Sequence, residues 1–188
     1  MAEPAVEELK RADPDVEVVW KAFELRPEPV KALDPNGEYL RRVWHGSVYP
    51  LAERLGVTMR LPPVQPRSRL AHQAAYWARS QERFDEYNAA VFRAFFERGE
   101  DIGEMDVLLR LAADTGLDPS GLRAALEERA FESEVLADER EAAELGVGGV
   151  PAFVADRRLA LSGVQTPEGL RELVERARAL RNKEPQGQ

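Results

Sequence analysis

The chain has 188 residues, 44% of them hydrophobic and 32% charged, a balance that suits one globular domain or a small domain with a large insertion. Its net charge of −8 argues against a general nucleic-acid binder, which needs a basic surface, and no apolar run reaches the ~20 residues of a membrane span. With no cysteine and two histidines, the composition excludes disulfides, thiolate metal sites and thiol nucleophiles, and leaves little for a metal centre or an imidazole acid–base pair.

The first residues, MAEPAVEE, lack a basic start and an apolar core, so no secretory signal is read there and a cytoplasmic location is expected. Residues 5–11 place Val6 and Leu9 on one helical face, and Asp13-Pro14 ends that helix, because the residue before proline avoids the α region. VEVVWKA at 16–22 is rich in β-branched and aromatic residues and predicts a strand. FELRP at 23–27 follows as an extended exit, and Asn36-Gly37 marks a loop.

From 37 to 145 the pattern is helical. Tyr39, Leu40, Val43 and Trp44 share a face, and Pro50 is expected to interrupt the run. LPPVQP at 61–66 is a rigid connector. Leu70, Ala74 and Trp77 continue the helical period. Phe84, Tyr87, Val91, Phe92 and Phe95 form an aromatic stripe whose spacing fits a helix–helix core better than a ligand box. Further helices carry Val107, Leu108, Leu111 and Ala112, and then Leu122, Ala125 and Leu126. Gly116 is a natural C-terminal stop, and Asp118-Pro119 a cap followed by proline at the first helical position. Another helix runs to about Leu145 and closes at Gly146.

The period then changes. PAFVA at 151–155 is a short apolar strand, 156–158 a tight turn, and LALS at 159–162 the returning strand. Thr166 caps a final helix with a stripe of Leu170, Leu173, Val174, Ala177 and Leu180, and 182–188 reads as a disordered tail.

Strand, turn, strand and helix, with GVGGVPAFV at 146–154 and LSGVQ at 161–165, resembles the closing half of the DsbA-like thioredoxin-fold family. VWKAFELRP at 19–27, PRSRLA at 66–71 and FFERGEDIG at 95–103 match in order. The likeness points to the FrnE-type branch, a neighbour of the 2-hydroxychromene-2-carboxylate isomerases and kappa-class glutathione transferases. It implies an α/β fold: a thioredoxin-like part at 1–36 and 146–181, a helical insertion at 37–145 capping a groove beside Pro151, and a cis bond before Pro151. The sequence departs from the family at the amino end, where the first strand and the Cys-x-x-Cys loop are absent. The expectation is that a longer natural protein carries them.

The resemblance further implies membership of a protein disulfide oxidoreductase family. Val150 and Pro151 would form the substrate-binding corner, and no residue of this chain would be catalytic. The partners implied are a protein thiol or extended peptide, or glutathione. The missing central strand would leave its neighbours exposed, which would favour a homodimer or a hetero-complex with a partner's strand. No cofactor and no metal are expected. Two alternatives stand beside this: a redox-inactive peptide-binding module, and a glutathione-dependent isomerase or transferase relative. His45 and His72 are read as partly exposed structural histidines. Asp13/Asp15 and Glu127/Glu128 are read as solvated charges, and Ser162 as a strand-end serine without a nucleophile elbow.

Overall fold

A computed structural model describes residues 1–183. The chain divides into two compact units, one of residues 22–139 and one built from 1–21 and 140–188.

The 22–139 unit is helical. Helix α1 (Glu3–Ala12) lies outside it; α2 (Glu38–Val43), α3 (Tyr49–Arg54), α4 (Arg69–Ser80), α5 (Phe84–Phe96), α6 (Met105–Asp114) and α7 (Pro119–Glu127) lie within it. Helix α8 (Glu132–Glu144) begins in this unit and ends in the other. The core gathers Trp77, Tyr87, Leu108, Leu111, Leu122 and neighbours from α4 to α7. Tyr87 is fully buried, and its hydroxyl donates to the Leu108 carbonyl at 3.1 Å, which satisfies the one polar atom it brings inside. The aromatic stripe of α5 therefore serves the core through Tyr87 and Val91. Phe92 is instead exposed and stacks on Phe96.

Pro50 does not interrupt its helical run. Residues Trp44–Val48 widen into one π turn, with the Tyr49 amide donating to the Trp44 carbonyl, and Pro50 follows directly on that widened turn, as the second residue of α3. The predicted stops behave as the residues require. Asp118 accepts from the amides of Ser120 and Gly121, and Gly116 adopts the left-handed conformation that ends α6.

In the other unit, β1 (Ala152–Ala155) and β2 (Leu159–Ser162) form an antiparallel pair with Phe153 opposite Leu161. Helix α9 (Pro167–Lys183) packs on both strands and on α1. Its cap is Thr166, whose hydroxyl accepts the Gly169 amide at 3.2 Å. Ala5, Val6 and Leu9 of α1 and Leu170 of α9 make the core, with Val16, Val18, Trp20 and Phe153 against it. Leu180 is exposed, a correction to the expected stripe: that turn of α9 runs past the core it would have joined. Helix α9 takes in the first two residues of the expected tail, and 184–188 lie outside the described residues.

The predicted strand at 16–22 is the main correction. These residues belong to no sheet, because the sheet holds β1 and β2 alone. Their burial nevertheless alternates: Val16, Val18 and Trp20 turn toward the core while Glu17, Val19 and Lys21 face out. The side chains obey a strand's period of two, and among the described residues no strand pairs with them.

Candidate functional site

The sequence points to the corner at Val150 and Pro151. The chain leaves α8 through Gly146, whose left-handed backbone lets its amide and that of Val147 close onto the carbonyls of Ala143 and Ala142. Gly148 and Gly149 follow with open space where side chains would stand. The Val150–Pro151 bond is cis, as is Glu28–Pro29 in the helical unit. The Pro151 carbonyl accepts the Gly163 amide at 2.8 Å, which ties the start of β1 to the end of β2. Val150 is 50% exposed, and among the described residues its amide and carbonyl make no backbone hydrogen bond. Val154, further along β1, is also exposed.

Chemically this corner offers backbone and apolar surface. It contains no nucleophile and no titratable group. Among the described residues no three metal-ligating side chains converge anywhere in the protein. No described helix is long and apolar enough to cross a membrane. His45 is exposed, with its ring edge-on to Tyr49. Asp13 binds Arg178, and that guanidinium, hydrogen-bonded to it, lowers its carboxyl below the usual range.

A second constellation escaped the sequence reading. In the 22–139 unit the side chain of Glu24 is 3% exposed, and Arg69 of α4 donates to its Oε2 through Nε at 2.7 Å and Nη2 at 2.5 Å. Asp138 of α8 accepts the Ala22 amide at 2.8 Å and the hydroxyl of Tyr76. His72 is half-buried, with a buried Nε2 that has no hydrogen-bond partner, and desolvation lowers its pKa. Its signal lay in two segments the sequence singled out for other reasons, FELRP at 23–27 and PRSRLA at 66–71. They supply Glu24 and Arg69, and Arg67 donates to the Arg26 carbonyl. A third such segment joins them: a side chain on Gly103 would strike the Arg67 carbonyl and Pro66. Residues 45 apart in the chain gave no local hint that they pair.

Comparison with known proteins gives this arrangement its lineage. The DSBA-like thioredoxin domain matches residues 1–175. The chain belongs to that family. The DsbA-like chain is 38% identical to the uncharacterized protein YwbO of Bacillus subtilis (strain 168) over 144 residues, 74% of this chain and 72% of that protein. A probable DsbA oxidoreductase from Streptomyces coelicolor superposes with a TM-score of 0.79 at 26% identity, covering 100% of this chain and 88% of that one. A putative protein disulfide isomerase from Nitrosomonas europaea shares the fold, with a TM-score of 0.70 at 18% identity over 96% of this chain and 90% of its own. The expected thioredoxin-like α/β class, mostly helical with a small sheet, holds. This DsbA-like chain carries no cysteine.

Proposed function

We propose that this chain supplies the substrate-recognition part of a DsbA-type thiol–disulfide oxidoreductase of the FrnE branch, with Val150 and Pro151 binding an extended segment of a protein thiol substrate. Thiol exchange needs a low-pKa thiolate, which these 188 residues do not carry. What they carry is a place to hold the substrate. The observation that supports this most is Val150: it is half exposed, and no backbone group among the described residues pairs with it. An extended peptide laid along this corner would gain main-chain hydrogen bonds, while exposed Val150 and Val154 would favour apolar side chains. Glutathione, itself an extended tripeptide thiol, is a smaller ligand of the same kind.

The test is calorimetric titration with a short apolar extended peptide and with the same peptide N-methylated at alternate residues. Binding that N-methylation abolishes supports recognition by strand addition. Equal binding of both peptides, or of neither, defeats it. Val150→Asp should weaken binding without unfolding the chain, since Val150 lies outside the core.

The absence of cysteine favours a second reading, a redox-inactive module that pairs its small sheet with a second copy. Light scattering separates the two. A stable dimer that excludes the peptide supports the second reading, and a monomer that binds it supports the first. Thiol titration of the protein isolated from its native source shows which reading the cell uses.

A further inference from the structure

The charges that meet at Arg69 do not balance as they stand. Arg69 brings one positive charge to two carboxyl groups: it pairs closely with Glu24, and its Nη2 lies 3.8 Å from Glu139 Oε2. The Glu139 and Glu24 carboxyls are within hydrogen-bonding reach of each other. Two carboxylate oxygens cannot bond without a hydrogen between them, and ionised together they repel in a site with little water. Glu139 Oε1 is buried with no donor directed at it. A buried acceptor of this kind is costly, and a proton turns the same group into a donor.

We propose that Glu139 carries a proton in the folded protein and donates it to the Glu24 carboxylate, and that this proton closes the contact holding residues 22–24 to α4 and α8. Arg69 then faces one carboxylate in place of two, Glu24 keeps its ion pair with Arg69, and the carboxyl pair gains the hydrogen it lacks. The direction of titration agrees. Desolvation, and then the Glu24 carboxyl, raise Glu139 above the ordinary glutamate value of 4.5, with Arg69 and a hydrogen bond from the Glu24 backbone opposing. The other groups facing the cluster are His72 and Tyr76 of α4 and Glu132 and Asp138 of α8. His72 works the other way. Held neutral by desolvation below its ordinary 6.5, it removes stability as pH falls. Glu139, with a raised value, removes stability as pH rises from the ordinary glutamate value to its own. The contact is therefore a proton-closed latch with an opposing limit on its acid side.

Two measurements test this on the whole chain. In the wild type, side-chain carboxyl carbon resonances followed by NMR should show one glutamate titrating later than the rest, and that signal should vanish in Glu139→Gln. Urea denaturation across the same pH series should then show Glu139→Gln gaining on the wild type, by up to about tenfold in folded-to-unfolded ratio per pH unit, until the late resonance has finished titrating. Both proteins keep His72, so the difference between their profiles removes its contribution. The proposal fails if all glutamates titrate together, if the late resonance survives in Glu139→Gln, or if the two stability profiles run parallel. Should Glu139→Gln not fold, Glu24→Gln takes its place, and the late resonance must then move toward the ordinary glutamate value.

Discussion

The two units of this protein solve the hydrogen-bond problem differently. In the 22–139 unit every regular element is a helix, each closing its backbone bonds locally, and sixteen buried residues merge into one cluster. In the unit formed by 1–21 and 140–188, four buried residues anchor the cluster, and the sheet is two strands of four residues. A two-stranded ribbon is marginal by itself, so α1 and α9 must hold it. A helix is self-sufficient, whereas a strand borrows its bonds from a neighbour. The unit that borrows is also the one where, among the described residues, the Val150 backbone makes no hydrogen bond.

Truncation of a core leucine in each unit gives the largest effects and the most direct way to break this contrast. Leu122→Ala should cost about 3–5 kcal/mol, because the side chain is fully buried within the larger cluster and its neighbours cannot collapse into the space. Leu170→Ala should cost less, about 2–3 kcal/mol, since partly exposed Phe153 and Val174 can shift toward the void. Urea denaturation of both variants checks the order. Equal losses would mean that the smaller core is as rigid as the larger one.

Next in size is Asp138→Ala, which should destabilise by about 2–3 kcal/mol. It removes the acceptor that the Ala22 amide and the Tyr76 hydroxyl share. Asp138→Asn keeps a carbonyl oxygen as acceptor and should recover part of the loss. If Asp138→Ala costs no more than a surface substitution, the polar contacts of the helical unit contribute nothing and its stability is apolar packing alone.

The helical unit was the more legible from sequence for the same reason that it is self-sufficient. Asp118 and Gly116 announce helix ends through chemistry that acts within three or four residues, and the structure places them as read. Contacts such as Glu24 with Arg69, or Ala22 with Asp138, join residues 45 and 116 apart, and nothing local encodes them. At 16–22 the β-branched and aromatic residues predicted a strand; the side chains alternate as a strand's would, and the ladder, which belongs to two segments and not one, was beyond the sequence. Pro50 misled because a single π turn can absorb a proline that an uninterrupted α-helix would resist. The cis bond before Pro151 was legible through family likeness, and the Glu24 cluster was not.

Caps offer a smaller test in each unit. Thr166→Ala should lower stability by about 1 kcal/mol, by removing the acceptor for the Gly169 amide at the start of α9. At α7 the cap is a carboxylate, so its contribution depends on pH. Hydrogen bonds from the Ser120 hydroxyl and from the Ser120 and Gly121 amides lower the Asp118 pKa below its ordinary 3.8. A lowered folded value means that the stabilisation is present above the ordinary value and is lost as pH falls through it. Asp118→Asn should therefore lose less stability than the wild type on acidification, measured by circular dichroism. An unchanged acid limb would mean that the cap does not distinguish the charged carboxylate from a neutral amide.

The smallest effects bear most closely on the borrowed strand. Val18 and Val19 are adjacent and chemically identical, so propensity, entropy and hydrophobicity cancel between them and only the facing direction differs. Val18 packs against the cluster of α1 and α9, whereas Val19 is 54% exposed. Val18→Ala should then cost about 1 kcal/mol, and Val19→Ala should stay within about 0.5 kcal/mol. Denaturation of the two variants under one condition resolves the difference. A large loss at Val19 in the isolated chain would show that its outward side is covered in solution, as a strand inserted beside 16–21 would cover it. The same pair remeasured with bound peptide separates two outcomes: a loss at Val19 that appears only with ligand places the ligand on this face, and an unchanged pattern excludes this face as its seat.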